Sequence, residues 1–273
     1  MTETVLAAEP NIRALAFIGV FGAVALWEWL TPRRKRAFPC WLRWLNNFGI
    51  ILIDMLAVRL LLPLAAVGWA SLCAEQGWGL FNVVELPAWL AVVLSILVLD
   101  LTIYGQHVLF HAIPALWRLH RVHHADLDFD VTTGIRFHPV EILLSMGIKL
   151  GMVALLGAPA LAVLIFEVLL NATSMFNHGN IRMPKRLDRV LRWIVVTPDM
   201  HRVHHSIERH ETDSNFGFNL PWWDRLCGTY RPQPTDGHEG MTIGIPQFRS
   251  RRDLWLDRLL LQPFRDRDHR SIS

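Results

Sequence analysis

The chain alternates between long apolar runs and short polar segments, and the apolar runs have the length that membrane helices need. Runs at 12–30, 48–73 and 87–110 are each close to or above the ~20 residues that cross a hydrocarbon core. A fourth run, 140–170, is too long for one crossing and contains Gly-Ala-Pro at 157–159, where glycine permits a turn and proline removes a backbone donor. The pattern therefore predicts about three membrane spans followed by a helical hairpin.

The positions of basic residues predict which end of each span faces the cytoplasm. The first run stops at the sequence PRRKR at 32–36, and short loops rich in lysine and arginine stay in the cytoplasm. The segment 74–85 between the second and third runs has no lysine or arginine, as expected on the opposite side. The third run and both ends of the hairpin then return to the cytoplasmic side, where we expect a polar cap without further spans after Asn177.

Composition supports a membrane protein. Hydrophobic residues make up 52% of the 273 residues and charged residues only 19%, and the mean hydropathy is +0.28. A net charge of +3 could indicate nucleic-acid binding, but a cationic excess beside apolar helices is the usual loop bias of a membrane protein. We therefore expect no nucleic-acid partner and predict an all-α integral membrane helical bundle with a cytoplasmic, histidine-rich helical cap.

Histidines are concentrated in one part of the chain. Eleven of the 13 lie between His107 and His210, and the pentapeptide His-Arg-Val-His-His occurs twice, at 120–124 and at 201–205. On a helix, positions i, i+3 and i+4 share one face. Each copy is therefore expected to present three imidazoles together, namely His120, His123 and His124 in the first and His201, His204 and His205 in the second.

A polar stripe precedes the first pentapeptide. Asp100, Tyr104, His107 and His111 are spaced i, i+4, i+7 and i+11, which places them within ~60° of one another on the third predicted span. Ionisable side chains on a membrane helix need partners, and a metal ion would supply them for the imidazoles. Neutral imidazole binds a metal through one nitrogen while the other donates to a carboxylate or carbonyl. Candidate acceptors are Asp100, Asp126, Asp128 and Asp199.

The number of clustered histidines predicts two adjacent metal ions, because one ion takes four to six ligands and eight or more histidines are clustered. Four histidines are set apart from this prediction. His238 and His269 are isolated and expected to face solvent, and His210 is expected to be a surface residue. His138 precedes Pro139, so it is either a ligand or the N-cap of a helix.

A series of motifs follows in fixed order between about 98 and 231, roughly half of the chain. They are the Asp100-to-His111 stripe, LWRLHRVHH at 116–124, RFHP at 136–139, Asn177-His178, TPDMHRVHH at 197–205, NFG at 215–217 and WDRLCGTY at 223–230. This ordered set resembles the fatty acid hydroxylase superfamily, which includes sterol desaturases and related lipid hydroxylases.

The resemblance implies a set of metal ligands and a metal. Two iron ions are the expected cofactor, with zinc as a possible substitute in a purified sample, where it would occupy the same imidazoles. Some relatives carry a pair of histidines around His178, whereas here Ser174 and Arg182 flank it at four residues, so one ion would lack a ligand or use water. The ligands implied are His107, His111, His120, His123, His124, His178, His201, His204 and His205.

The resemblance also implies an activity. Such an enzyme is a membrane-bound oxidoreductase that hydroxylates or desaturates an unactivated C–H position of a lipid, using dioxygen and external electrons. No GxGxxG motif or cysteine cluster is present, so a separate electron donor of the ferredoxin or cytochrome b5 type is expected. The chain then divides into membrane helices at 1–86, a catalytic region at 87–231 and a cap or membrane-surface segment at 232–273.

Two other functions compete with this prediction. A histidine-rich membrane metal transporter or metal-binding protein would carry ligating residues at several depths of its spans, whereas here they cluster at one end. A zinc hydrolase acting on lipids would need an acidic general base, as in an HExxH motif, and the sequence has none.

Overall fold

The computed structural model describes residues 2–265, and every regular element in this range is a helix. The predicted His269 lies outside the described residues. The helices up to the hairpin are α1 Thr2–Ala7, α2 Glu9–Leu30, α3 Cys40–Leu61, α4 Ala65–Glu75, α5 Leu80–Val83, α6 Ala88–Ala112, α7 Pro114–His124, α8 Pro139–Leu156 and α9 Ala160–Asn177. Shorter helices follow: α10 Lys185–Leu191, α11 Pro198–His204, α12 Arg209–Thr212, α13 Trp222–Leu226, α14 Gly237–Gly240 and α15 Leu256–Leu261.

Five helical segments are long and apolar enough to cross a membrane. Their outer surfaces expose large apolar side chains such as Leu15, Trp29 and Leu155, which are 70% or more accessible. Exposed apolar surface of this extent is typical of a face that contacts lipid. The fold is therefore the all-helical membrane bundle that the sequence predicts. The segments are Glu9–Leu30, Cys40–Val83, Ala88–Ala112, Pro139–Leu156 and Ala160–Asn177.

The second predicted span, 48–73, differs from the helices observed. Helix α3 begins earlier, at Cys40, and ends at Leu61, and α4 follows after a break. Pro63 lies in the break, where it cannot donate a backbone hydrogen bond and would clash with a continuing helix. Of the two charged residues in this run, Asp54 is buried and Arg59 is exposed, so they do not form a pair.

The predicted helical hairpin is confirmed. Helices α8 and α9 are joined at Gly157, which adopts φ +64° as the C-cap of α8. A Cβ at this position would lie 2.6 Å from the Asn82 side chain and 2.7 Å from the carbonyl of Trp78. Glycine is therefore required both for its positive φ and for the close approach of the segment beside α5.

A single apolar cluster, called here the transmembrane cluster, lies between α4, α6, α8 and α9. Several partly buried residues, including Phe137, pack against it from its edges. This cluster ends where the polar cap begins. The last turns of α6 and α9 therefore extend beyond the apolar packing into the histidine-rich region. Its buried members are Ala66, Val67, Ala70, Leu99, Ile103, Val153, Ala158, Val163, Leu164, Phe166 and Phe218.

The N-terminal helices also hold the cap through buried charges. Glu28 of α2 has no exposed surface and accepts hydrogen bonds from the backbone N–H groups of Val131 at 2.6 Å and Asn180 at 2.8 Å. Arg43 of α3, equally buried, donates two bonds of 2.7 Å to Asp126. These bonds fix α2 and α3 to the cap. The domain boundary at residue 86 stays a prediction.

The C-terminal segment lies across α7. Arg118 and Arg121 of α7 each donate a 2.7 Å hydrogen bond, the first to the carbonyl of Pro263 and the second to that of Gln262. Phe264 next to them remains 67% exposed. The segment predicted at 232–273 as a cap or membrane-surface segment therefore covers the helix of the first pentapeptide with one side, while Phe264 stays uncovered.

Candidate metal centre

The nine histidines predicted as ligands come together in two adjacent groups. Within each group the candidate ligand atoms lie within 4.8 Å of one another, and none of the nine side chains is more than 7% exposed. The first group is His107, His111, His120, His124 and His204, and the second group is His123, His178, His201 and His205.

Four helices supply these rings. Helix α6 provides His107 and His111 from adjacent turns, and His178 follows the last residue of α9. Helix α7 begins with Pro114 in its first turn, and α11 begins with Pro198 behind Thr197, whose side chain accepts from Met200 N at 3.4 Å. Proline at these positions is favourable because the first helical N–H groups have no partner within the helix.

Each pentapeptide divides its three histidines between the groups. In α7 the i and i+4 rings, His120 and His124, join the first group while His123 joins the second. In α11 the pattern is reversed, because His201 and His205 join the second group and His204 joins the first. The three imidazoles of each pentapeptide thus lie together, and each helix links the two groups.

Hydrogen bonds to Nδ1 fix the orientation of the rings. The Nδ1 atoms of His107 and His204 lie 2.6 and 2.7 Å from the carbonyl oxygens of Phe216 and Ser214. In the second group, Nδ1 of His178 lies 2.6 Å from the carbonyl of Ser174, and Nδ1 of His123 lies 3.2 Å from that of Arg136. A carbonyl oxygen can only accept, so these four rings carry their proton on Nδ1 and leave Nε2 bare.

The bare nitrogens face one another. The Nε2 atoms of His107 and His204 are 3.0 Å apart, and those of His123 and His178 are 3.1 Å apart. Neither nitrogen of either pair has a proton to share, so their lone pairs repel unless a cation lies beside them. Both groups therefore fit a metal ion by the chemistry of their donor atoms, since imidazole suits iron, zinc, copper or nickel.

Burial keeps these imidazoles neutral. It lowers the pKa of both His120 and His178 to about 3. The pKa of His124 and of His205 also lies well below the ordinary value, first because of burial and then because of neighbouring imidazoles. Neutral imidazole is the form that binds metal, so the region does not need to lose protons before it can bind at neutral pH.

Two carboxylates that the sequence analysis did not select contact the rings. Glu141 lies with Oε1 2.6 Å from Nδ1 of His120, and Asp213 lies with Oδ1 3.4 Å from Nδ1 of His111. The signal for Glu141 was its position, as the one acidic residue of a mostly apolar helix and in its first turn.

The aspartates proposed for this role have other partners. Asp100 accepts from the Trp223 indole at 2.8 Å, and Asp126 from Arg43 at 2.7 Å. Asp128 accepts from the backbone of Phe38 at 2.9 Å, and Asp199 from Arg202. These four carboxylates fix the surrounding segments, because each accepts from a residue outside the two histidine groups.

The surroundings of His178 show why its neighbours add no ligand. Ser174 donates its hydroxyl to the carbonyl of Gly134 at 2.8 Å, and the Arg182 side chain is 59% exposed. A Cβ on Gly134 would lie 2.5 Å from the Ser174 carbonyl oxygen and 3.2 Å from Nδ1 of His178. Glycine is therefore needed here, and the second group has four rings where the first has five.

The remaining described histidines lie outside both groups. His138 is the N-cap of α8, where its Nδ1 accepts from Val140 N at 3.2 Å, and His210 is exposed. The prediction that His238 faces solvent is wrong, because this residue is only 5% exposed and lies 3.7 Å from Asp199. Its burial depends on the packing of α14 against α11, which no local pattern at 232–240 indicates.

Comparison with known proteins agrees with the motif order. The sequence model of the fatty acid hydroxylase family matches residues 92–229, half of the 273-residue chain, and this range contains all nine histidines of the two groups. The chain belongs to the fatty acid hydroxylase family. The resemblance drawn from the motifs is thereby confirmed, and the matched range runs from α6 to just beyond α13.

The names of three curated relatives of this fatty acid hydroxylase family member describe enzymes that act on lipids. It is 32% identical to an ornithine lipid hydroxylase of Rhizobium tropici over 57% of this chain and 47% of that protein. It is 28% identical to an alkylglycerol monooxygenase of Xenopus tropicalis over 63% of this chain and 38% of that protein. It is 28% identical to a cholesterol 25-hydroxylase of Rattus norvegicus over 52% of this chain and 47% of that protein.

The aligned regions therefore cover less than half the length of these relatives. No solved structure matches the chain.

Proposed function

We propose that the protein is a membrane-bound di-iron oxygenase that hydroxylates an unactivated C–H position of a lipid. The observation that carries this proposal is the pair of adjacent histidine groups whose bare Nε2 atoms converge in a buried site. The reaction would consume one dioxygen, two electrons and two protons, and it would yield one alcohol and one water. Desaturation of the same position is the second outcome that this chemistry allows.

The relatives support a lipid substrate and favour hydroxylation. An ornithine lipid, an alkylglycerol and cholesterol differ in headgroup and ring structure, yet the names of all three relatives describe oxygen insertion. Their common property is a large apolar portion. A substrate with an apolar chain also fits a metal centre that lies at the ends of membrane helices.

A bound pair of iron ions would supply the activation of dioxygen. The chain's own residues would hold and orient the metal ligands. Hydrogen bonds from Nδ1 to backbone carbonyls fix the rings of His107 and His204 in one group and of His178 in the other. Burial of all nine rings excludes bulk water, which would otherwise compete for the ligand positions and quench reactive species. Zinc could occupy the same rings without redox activity.

The electrons would come from a separate donor, of the ferredoxin or cytochrome b5 type. The sequence between 1 and 273 carries no cysteine cluster or nucleotide-binding glycine motif that would hold a redox group of its own. The cytoplasmic side is proposed for the metal centre because the PRRKR sequence follows α2 beside the cap, where Arg33 contacts Glu239 at 2.8 Å. A metal transporter is disfavoured because the histidine groups gather at one end of the bundle.

The test compares lipid extracts from cells that express the protein in air enriched in isotopically labelled dioxygen. We expect a lipid that is heavier by one labelled oxygen atom in cells with the native chain. It should be absent with His123→Ala or His204→Ala, which remove one ring from each group in turn. His210→Ala, at an exposed histidine, is the matched control and should behave like the native chain.

Two results would contradict the proposal. One is that no lipid gains labelled oxygen although the protein carries iron and a reduced donor is present. The other is that His123→Ala forms the product at the native rate while remaining inserted in the membrane.

A further inference from the structure

Two phenylalanine rings lie between the histidine groups and the membrane core. The ring centroid of Phe137 is 4.4 Å from that of His123 and 6.3 Å from that of His120. The ring centroid of Phe218 is 5.0 Å from that of His107 and 5.7 Å from that of His201. Each ring therefore contacts one histidine of the first group and one of the second.

Contact with both groups distinguishes these rings from their neighbours. Phe216 contacts three histidines, but all belong to the first group, and Phe129 contacts two that both belong to the second. Phe110 contacts His120 alone. Among residues 2–265, Phe137 and Phe218 are thus the phenylalanines that border the space between the two groups.

The same two rings are the ones backed by the membrane bundle. Phe218 is a buried member of the transmembrane cluster, and Phe137 packs against that cluster while part of its surface stays accessible. Phe129, by contrast, packs with Met241 and Ile243, which belong to the cap. An apolar chain that approaches from the bilayer core would meet Phe137 and Phe218 before it reached the histidines.

Besides aromatic rings such as Phe129 and Phe216, the two groups have polar neighbours. Glu141 and Asp213 contact rings of the first group, and backbone carbonyls such as that of Arg136 contact the second. An alkyl chain that passed beside these carboxylates and carbonyls would displace their hydrogen-bonding partners, which is unfavourable. Because Phe137 and Phe218 also pack with the transmembrane cluster, the side that they border is the most favourable approach for an apolar substrate.

We propose that Phe137 and Phe218 are specificity-determining residues, which set the carbon atom of an apolar lipid chain that reaches the space between the two metal sites. The expected change in reaction product rests on the proposed function, whereas the expected change in lipid binding does not. The rings act by shape: the Phe137 ring stacks on that of His123, with planes within 9° of parallel, so it covers one face of this candidate ligand. Removal of a ring would let the chain enter deeper or with a bulkier group.

The experiment uses Phe137→Ala and Phe218→Ala, with Phe129→Ala as the matched control. Phe129 has the same size and also packs on histidines, but it faces the cap. In the iron-loaded protein, the position of the new oxygen is mapped by fragmentation mass spectrometry of the lipid product. Because a pocket discriminates a single methylene by tenfold or more, we expect the ratio of positional isomers to change by about tenfold in either membrane-side variant.

A second readout does not require turnover. The zinc-loaded proteins are incubated with a lipid that carries a photoreactive diazirine on its acyl chain, and labelled peptides are identified after irradiation. Labelling near α6 and α8 should change in Phe137→Ala and Phe218→Ala and stay as in the native chain in Phe129→Ala. Phe137→Leu and Phe218→Leu, which retain apolar volume, replace the alanine variants if these fail to insert or to bind metal.

The outcomes separate this inference from the proposed function. Unchanged isomer ratios and unchanged labelling in both membrane-side variants would overturn the inference, as would an equal change in Phe129→Ala. If labelling changes in both membrane-side variants while the native protein forms no oxidised lipid, the two rings are supported as the binding wall and the oxygenase activity is refuted.

Discussion

For six of the nine buried imidazoles, a hydrogen bond at Nδ1 favours the tautomer whose Nε2 can serve as a ligand. Where the partner is a carbonyl oxygen, as for His107 and His204, the tautomer is fixed by the backbone and cannot be changed by a side-chain substitution. His120 differs, because its Nδ1 partner is the carboxylate of Glu141 at 2.6 Å. Glu141 is therefore the residue at which the strength of a ligand can be altered without removing it.

We predict that Glu141→Gln weakens metal binding by about 10- to 100-fold, as is typical for loss of a carboxylate behind a ligating histidine. The amide keeps the shape of the side chain but not its charge. Metal retained after competition with a graded series of chelator concentrations measures the change. Asp213→Asn is the control, since Asp213 is 3.4 Å from His111 and 40% exposed, and a larger effect there would contradict the argument.

A second prediction concerns His238. Burial lowers the pKa of His238 to about 4, although nearby Asp199 acts in the opposite direction. Between pH 4 and the ordinary pKa of about 6.5 the unfolded chain binds a proton here that the folded chain does not. The resulting contribution to the free energy of unfolding, about 3 kcal/mol, is complete above pH 6.5 and is lost as the pH falls toward 4.

His238→Gln should remove this part of the pH dependence, because glutamine stays neutral throughout. The measurement is the thermal unfolding midpoint in detergent between pH 4 and 7.5, compared with the native chain. The exposed His210→Gln should leave the native curve unchanged. Parallel curves for the native chain and His238→Gln would show that burial of this imidazole does not have the consequence assigned to it.

Among the elements, the hairpin of α8 and α9 carries charges as well as apolar packing. Glu167 of α9 accepts from Lys149 of α8 and from Arg13 of α2, so three membrane helices meet at one carboxylate. Glu167 is 5% and Lys149 8% exposed. Ionisable residues within membrane segments persist when they are paired, and these pairs connect α2 to a hairpin that ends beside His178.

We predict that Glu167→Gln lowers the free energy of unfolding by on the order of 3 kcal/mol, because the buried Lys149 loses its counter-charge and the partly buried Arg13 loses one of two. Unfolding in mixed micelles with increasing denaturing detergent measures the loss. Glu9→Gln is the control: Glu9 pairs with Arg13 at 2.7 Å and is partly exposed, so its loss should cost less than about 1 kcal/mol. Equal losses in the two variants would contradict the role given to Glu167.

The helices could be predicted from the sequence to the extent that each depends on local pattern. The hairpin follows from Gly157 and Pro159, and the grouping of His107 with His111 follows from their spacing on one helix. The division of each pentapeptide between two groups could not be predicted. It depends on the angle at which α7 and α11 approach each other, and that angle is set by packing of residues distant in the chain.

For the whole molecule, the metal centre depends on regions outside the family match. Arg43 and Glu28 belong to the N-terminal helices, yet they fix the segments that follow His124 and His178. The sequence shows both as charges in or near apolar runs, which indicates buried partners without identifying them. Only the folded chain pairs Arg43 with Asp126, because 83 residues separate the two.

The central claim is that the cap holds two metal ions in two histidine groups. The most direct test is the metal content of the purified protein by inductively coupled plasma mass spectrometry, for the native chain, His204→Ala and His123→Ala. We predict two ions per native chain, with each variant losing the ion of its own group first and retaining the other more strongly. A native chain that binds one ion or none after growth with added iron would contradict the account.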